Sequence, residues 1–289
     1  MAGANGFVGQ ALAGRLTELG LSAQTVLIDR EPFDIPGFAC VHRELGDAPG
    51  SLDLLAKVEI VCHLAALPGA AAERDPVLSR KVDCDLAFGL IERLAHKRLV
   101  VAGSIAVYGS DLGDLVDDGT RARPDSVYGT HKRIVEFAFA DAVRRGAVEG
   151  AVLRLPGIVG RKPPVARFGS AFLSDVFHAI RKGRRYAMPV SPEATSWISS
   201  ARACARQLAH SMLGGLTLAE PLLPPATHIR KDELVAEIGG HGDASGITYA
   251  EKPHLRRAFG SHPPQLAARA LELGFEPAKS VPELVEAAL

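Results

Sequence analysis

Short, β-branched apolar runs alternate with longer Ala- and Leu-rich stretches through the first half of this 289-residue chain. The apolar runs predict strands at Gln24–Asp29, Ala39–Leu45, Glu59–Leu64, Arg98–Ser104 and Ala151–Leu155. The stretches between them predict helices at Gly9–Leu19, Ser51–Ala56, Pro76–Ala95 and Ser126–Arg145. Strands that are apolar on both faces and separated by helices form a parallel sheet covered on both sides. The alternation therefore predicts an α/β fold with a doubly wound parallel sheet.

This rhythm changes after about residue 157. The remaining sequence predicts one extended piece, at Arg184–Pro192, among helices at Phe168–Lys182, Ala201–Leu213, Lys231–Gly239 and Pro264–Leu273. The change divides the chain into two predicted units. Residues 1–156 would bind a dinucleotide, and residues 157–289 would form a smaller, mostly helical cap that binds the substrate.

Composition limits the class of protein. The chain has 33 Lys and Arg against 33 Asp and Glu, and this balance argues against a nucleic-acid binder with a basic surface. No apolar stretch approaches the ~20 residues that cross a bilayer, and no signal-peptide layout opens the chain. Four scattered cysteines without a CxxC pair are typical of a reducing compartment, so we expect a cytoplasmic protein. No HxxxH or HExxH spacing occurs among the histidines, and we predict no metal site.

A glycine-rich loop opens the chain. Residues 3–9 read GANGFVG and run directly into an amphipathic helix. Glycines at such a turn let the backbone approach a pyrophosphate, and the helix N-terminus offers free N–H groups to the phosphates. An ordinary glycine turn is the alternative. The predicted phosphate contacts are Gly3, Asn5, Gly6, Phe7, Val8 and Gly9.

The ends of the next strands carry further candidate contacts. Asp29 follows Gly9 by twenty residues, and its carboxylate can accept both hydroxyls of an adenosine ribose, which favours NAD over NADP. Arg30 could soften that preference by turning toward a phosphate. Asp47, after Gly46, can accept from the adenine amino group or can cap the following helix. The HLAA run ends in small residues that leave room for a ribose, so Leu64, Ala65 and Ala66 are predicted cofactor contacts, and His63 is predicted to be a packing residue.

Tyr128 and Lys132 form the most specific pair. They lie four residues apart in a helical stretch, so they share one helix face. An ammonium near a phenol favours the phenolate, and a free Tyr, with a pKa near ~10, needs such help to act as a base. Ser104, at the end of a predicted strand, offers a hydroxyl to the substrate oxygen. We therefore predict a catalytic set of Ser104, Tyr128 and Lys132.

These motifs, together with SIAVYG, YGTHK and RLPGIVG, resemble the extended short-chain dehydrogenase/reductase superfamily, the NAD-dependent epimerase/dehydratases. The resemblance covers most of residues 2–160. It implies a Rossmann fold, bound NAD and catalytic roles for the Ser104, Tyr128 and Lys132 set. It also implies that Lys132 holds the nicotinamide ribose and that the backbone after Pro156 lies near the carboxamide. Members often form a homodimer through the helices before Ser104 and around Tyr128.

The second half looks more like the sugar-acid-oxidising members of the superfamily. A carboxylate substrate favours an arginine partner, and Arg161 and Arg167 are candidates, although a solvated loop residue is the more common role for an arginine in such a loop. Trp197 would line the substrate pocket or belong to the cap core. We expect an NAD-dependent oxidoreductase acting on a secondary alcohol of a small sugar acid. The alternatives are a nucleotide-sugar epimerase or dehydratase, and a non-catalytic sensor of NAD(P).

Two departures from the family pattern stand out. Asp83 occupies a helix position where the family commonly has Asn, which puts any contact made by the amide in doubt. The family's first strand should precede Gly3, yet only Met1 and Ala2 do so, and we therefore expect the first strand to be missing from this chain. We expect the native polypeptide to begin upstream. Without that strand, the flanking strands should splay or pair directly with each other.

Overall fold

The computed structural model describes residues 1–43, 54–67, 69–162 and 169–289. The strands are β1 (Val26–Asp29), β2 (Ala39–His42), β3 (Ile60–His63), β4 (Arg98–Ser104), β5 (Val116–Asp117), β6 (Glu149–Leu155), β7 (Gly157–Val159), β8 (Tyr186–Met188), β9 (Thr195–Ser200), β10 (Thr227–Arg230), β11 (Ile247–Tyr249) and β12 (Gln265–Leu266). The α-helices are α1 (Phe7–Glu18), α2 (Ala70–Arg74), α3 (Pro76–Ser79), α4 (Leu86–Arg93), α5 (Val127–Arg144), α6 (Phe172–Arg181), α7 (Ala201–Leu213), α8 (Lys231–Gly239), α9 (Pro253–Phe259), α10 (Ala268–Glu272) and α11 (Val281–Ala288).

The main sheet is parallel, as the sequence predicts. β1 pairs with β2, and β4 lies between β3 and β6. Its central strands are apolar on both faces and buried, because helices cover both sides. All three pairings are parallel, so the carboxyl ends of the strands meet along one edge. The predicted α/β fold is confirmed.

Met1 and Ala2 lie between β1 and β3. The Ala2 N–H donates to the Cys62 carbonyl at 2.9 Å, and the Ile28 N–H donates to the Met1 carbonyl at 2.8 Å. Ala2 forms single parallel bridges with Ile28 and with His63. Within the described ranges β1 and β3 do not pair with each other. How a longer first strand would change stability stays a prediction.

Residues of the second half of the chain belong to two hydrophobic clusters. Helix α7 packs against α1, and Leu12 and Leu208 belong to the same hydrophobic cluster. A second cluster gathers α6, α8 and α11 around Phe177 and Ile198. Short strands β7, β9 and β10 form a further sheet between the helices. The division at residue 156 stays a prediction, and no helix in the described ranges has the length and apolarity needed to cross a membrane.

Two predicted helices differ from the structure. The stretch Pro76–Ala95 is interrupted by one π-helical segment, Arg80–Asp85, between α3 and α4. The stretch Pro264–Leu273 begins with strand β12, because the Gln265 and Leu266 backbone pairs with β5, and α10 starts at Ala268. Local helix propensity is weak compared with such tertiary pairing.

Lys231, the first residue of α8, is fully buried. Its Nζ donates to the Ser196 hydroxyl at 2.9 Å, and no acid pairs with it in the part of the chain that the structure describes. Burial lowers the pKa of Lys231 from 10.5 to about 7. The unfolded chain therefore binds one more proton than the folded chain between these two values. Folding stability contributed by this group rises with pH across that window and falls toward neutral pH.

Lys231→Met should remove this dependence. Between pH 7 and 9.5 we expect the wild type to gain on the order of 3 kcal/mol in unfolding free energy relative to the variant. Urea unfolding of both proteins at several pH values measures the difference. All other groups titrate in both proteins, so their contribution cancels in the comparison. If the unfolding free energies of the two proteins change with pH in parallel, Lys231 is not a buried lysine with a lowered pKa.

Candidate active site

The glycine loop lies against the end of β3. Gly3 has a φ of +80°, and a Cβ there would come within 2.6 Å of the Ala65 backbone nitrogen. Helix α1 begins immediately after Gly6, which has no side chain to cap the free N–H groups of the first turn. No acidic residue occupies that turn. The loop is thus an uncapped, glycine-lined helix start that suits an anionic group.

Asp29 lies at the carboxyl end of β1, beside the loop. Its Oδ2 accepts the Asn5 N–H at 2.9 Å, and its Oδ1 accepts the Glu31 N–H at 3.2 Å. The Arg30 guanidinium is exposed and pairs with Glu31 at 3.6 Å. The structure therefore brings the predicted phosphate loop, Asp29 and the Ala65 backbone to one edge of the sheet. These residues fit a dinucleotide, with the pyrophosphate at α1 and the adenosine ribose toward Asp29.

Ser104, Tyr128 and Lys132 meet at the same edge. Ser104 ends β4, and its hydroxyl oxygen accepts the Ala106 N–H at 3.1 Å, which leaves its hydrogen free to donate. Tyr128 and Lys132 lie one turn apart near the start of α5, whose first turn is capped by the Ser126 side chain. The Lys132 Nζ is 5.5 Å from the centre of the Tyr128 ring, and the Ser104 and Tyr128 side chains hydrogen-bond.

Asp83 reaches the same cluster from the π-helical segment. Its Oδ1 lies 3.3 Å from the Lys132 Nζ, and both side chains are buried. Nζ also donates to the Ala102 carbonyl at 3.1 Å. The sequence raised doubt about Asp83 but did not predict this ion pair. The sequence did contain one signal of this ion pair. Position 83 carries an acid where the family commonly has an amide, and it precedes the helix of Lys132.

The surroundings of the cluster favour the charged form of Lys132 and the neutral form of Tyr128. Burial alone would lower the pKa of Lys132, but the neighbouring Tyr128 and Asp83 outweigh it and raise that pKa. Burial raises the pKa of Tyr128 above its usual value. Lys132 lowers it, as predicted from the spacing, but not enough to offset burial.

Comparisons with known proteins agree with this geometry. Residues 1–197 match the NAD dependent epimerase/dehydratase family. The chain belongs to this family. That membership confirms the predicted Rossmann fold, the predicted NAD cofactor and the prediction of an NAD-dependent enzyme.

Several relatives are similar along most of their length. A D-erythronate dehydrogenase of Cupriavidus necator is 31% identical, with 99% of this chain and 95% of the relative aligned. A D-erythronate dehydrogenase of Haemophilus influenzae is 30% identical over 73% of this chain and 70% of the relative. The crystal structure of a nucleoside-diphosphate-sugar epimerase from Agrobacterium tumefaciens superposes with a TM-score of 0.87 and 28% identity, covering 98% of this chain and 91% of that one.

The remaining predicted site residues of this epimerase/dehydratase family member lie in different parts of the molecule. The guanidinium of Arg161 lies 5.2 Å from the Phe7 ring, and its charge acts on Tyr128, so it belongs to the cluster. Pro156 lies between β6 and β7. Trp197 is 1% exposed in the hydrophobic core and donates to the Pro263 carbonyl, which matches the core alternative. Gly46, Asp47 and Arg167 lie outside the described residues.

His63 is buried at the end of β3, where burial lowers its pKa to about 3. A ring that stays neutral at every physiological pH suits packing, the role that the sequence favours. Leu64 follows it and donates its N–H to the Ala2 carbonyl at 2.9 Å, so this segment is held beside the start of the chain.

The position of Asp29 predicts how the enzyme discriminates between cofactors. NAD has a ribose hydroxyl that the Asp29 carboxylate can accept, whereas NADP carries a phosphate at that position. The phosphate and the carboxylate are both anions and repel each other. NAD should bind at least about tenfold more tightly than NADP, and Asp29→Ser should reduce that ratio. Dissociation constants from calorimetry measure it, with exposed Asp34→Asn as the matched control. Equal or tighter NADP binding by the wild type would contradict the assignment.

Proposed function

We propose that this enzyme oxidises a secondary alcohol of a small sugar acid, D-erythronate or a close analogue, with NAD. The observation that carries the proposal is the near-complete alignment with a D-erythronate dehydrogenase at 31% identity, including the second half of the chain. Alignment beyond residue 197 matters because that part would determine the substrate.

The cluster supplies the parts that alcohol oxidation requires. NAD, when bound, supplies the hydride acceptor. Tyr128, as the phenolate, removes the hydroxyl proton, while the Ser104 hydroxyl orients the substrate oxygen. Lys132, held by Asp83 and the Ala102 carbonyl, favours the phenolate by its charge and would hold the nicotinamide ribose of bound NAD.

Arg161 suits the carboxylate of a sugar acid. Its guanidinium lies beside Phe7 of the glycine loop, and its charge acts on Tyr128. A carboxylate held there would leave the neighbouring hydroxyl near the phenol. Arginine pairs with carboxylates through two parallel hydrogen bonds, which fixes orientation as well as charge. Arg167 remains a second predicted partner.

A nucleotide-sugar epimerase is the second candidate, because a structure of that description superposes at 28% identity. An epimerase returns the hydride to its substrate, so it recycles the cofactor. A dehydrogenase instead accumulates reduced cofactor with each turnover. A non-catalytic sensor would need no base at Tyr128.

A homodimer is the proposed oligomeric state. Large apolar side chains are exposed on α3 and α5, the helices that the family resemblance associates with dimer formation. Phe137 is 60% exposed and Val77 is 64% exposed, with Leu78 and Ile134 alongside them. We place the enzyme in the cytoplasm, in accordance with the unpaired state of all four cysteines.

Tyr128→Phe should abolish most turnover and leave NAD binding nearly unchanged. The ring keeps its packing, and only the proposed base is lost, which typically costs ~10²–10⁴-fold in rate. The rate of cofactor reduction and the NAD dissociation constant are the two measurements. Tyr249→Phe, on strand β11, is the matched control. Undiminished turnover in a folded Tyr128→Phe protein would refute the assignment of the base.

A substrate panel tests the function itself. We expect net formation of reduced cofactor with four-carbon aldonic acids and none with UDP-sugars. In the same panel, Arg161→Gln should raise KM for the acid by ~10–100-fold with a smaller effect on kcat, since a charge-assisted contact is lost.

Lys162→Gln, the adjacent exposed cation, is the control for Arg161. Strong thermal stabilisation by a UDP-sugar, with no response to any sugar acid, would reverse the order of the two candidate functions.

A further inference from the structure

Asp83 is enclosed by donors. It lies in the π-helical segment, is 1% exposed, and directs both carboxylate oxygens into the protein. Oδ2 accepts the Ser79 hydroxyl at 3.1 Å and the Leu67 N–H at 3.3 Å, and Oδ1 faces the Lys132 Nζ at 3.3 Å. Two neutral donors and one cation therefore surround this carboxyl group.

The link continues to His131. Its Nδ1 lies 2.8 Å from the Ser79 oxygen. A serine hydroxyl has one hydrogen, and Ser79 gives it to Asp83, so His131 must donate through Nδ1. Each donor in this series of hydrogen bonds, from His131 through Ser79, therefore points toward Asp83. The arrangement joins α3, the π-helical segment and α5 around one buried negative charge.

The other ionisable groups around Lys132 and Tyr128 are few in the described part of the chain. Burial lowers the pKa of His63 to about 3 and raises the pKa of Cys84 to about 11, so both are neutral near pH 7 to 9. Arg161 contributes a second positive charge near Tyr128. Asp83 is thus the anion that pairs with Lys132 in this cluster, and its charge acts on Tyr128 in the opposite sense to the two cations.

We propose that Asp83 is a positioning residue that holds Lys132 by a buried ion pair and so sets the pH at which Tyr128 becomes a base. The proposal rests on the proposed role of Tyr128. An amide at position 83, common in the family, would leave the full charge of Lys132 to act on the phenol. The carboxylate instead partly neutralises the charge of Lys132. This enzyme therefore needs a higher pH to form the phenolate than a relative with an amide at this position.

Ionisation of Tyr128 can be measured without any substrate. Ultraviolet absorbance reports phenolate formation, and subtraction of the Tyr128→Phe titration isolates this residue from the other three tyrosines. In Asp83→Asn we expect the Tyr128 pKa to fall by about one pH unit or more. In Asp83→Glu, which keeps the negative charge, the Tyr128 pKa should stay nearer to its wild-type value. Asp85→Asn is the matched control, because Asp85 lies in the same segment but is exposed and paired with Arg80.

Kinetics provide the second measurement. The acid limb of the kcat/KM profile should move to lower pH in Asp83→Asn by the same amount as the phenol titration, whereas a purely structural loss would lower the rate without moving the limb. Asp83→Ser, a smaller uncharged residue, replaces Asn if that variant fails to fold. An unchanged Tyr128 titration in a folded, charge-free variant overturns the proposal. Full turnover by Tyr128→Phe would instead refute the proposed base, and the titration would still decide the effect of Asp83 on the phenol.

Discussion

Backbone hydrogen bonds of the first three residues hold the two parts of the main sheet together, and the site depends on them. Ala2 exchanges hydrogen bonds with β3 and with Leu64, while Gly3 donates to the Ile28 carbonyl at 3.0 Å. The same residues start the glycine loop. Because one short segment joins β1 to β3 and then turns over the sheet edge, Asp29 and the Ala65 backbone approach the loop from opposite sides.

A buried ion pair holds the other half of the site. Arg154 in β6 donates to both carboxylate oxygens of Glu136 in α5, at 2.8 and 2.9 Å, and to the Tyr108 hydroxyl at 3.0 Å. These contacts fix α5 and the turn after β4 against the sheet. Tyr128 lies in α5 and Ser104 directly precedes that turn, so their separation depends on a contact outside the catalytic cluster. Removing one partner would leave a buried charge, which is strongly destabilising.

The sequence predicted the features that repeat over short distances. Strand β4 and helices α7 and α8 have the predicted bounds, because apolar periodicity and capping determine them locally. The placement of Ser104, Tyr128 and Lys132 at one sheet edge also follows from strand order. The Asp83 ion pair could not be predicted, since it depends on a π-helical turn that has no reliable sequence pattern. Likewise, the choice between pocket and core for Trp197 depended on packing between distant segments.

The π-helical segment determines which residues of this stretch face the interior of the protein. Ser79, Asp83, Ala87 and Leu94 are all buried along this stretch. One residue in an α-helix corresponds to a rotation of about 100°, so removing the extra residue of the wide turn would rotate everything after it. Either Asp83 or the Ala87 and Leu94 face would then point to solvent. The wide turn is therefore what allows one stretch, Pro76–Arg93, to supply both a buried carboxylate to Lys132 and an apolar face to the core.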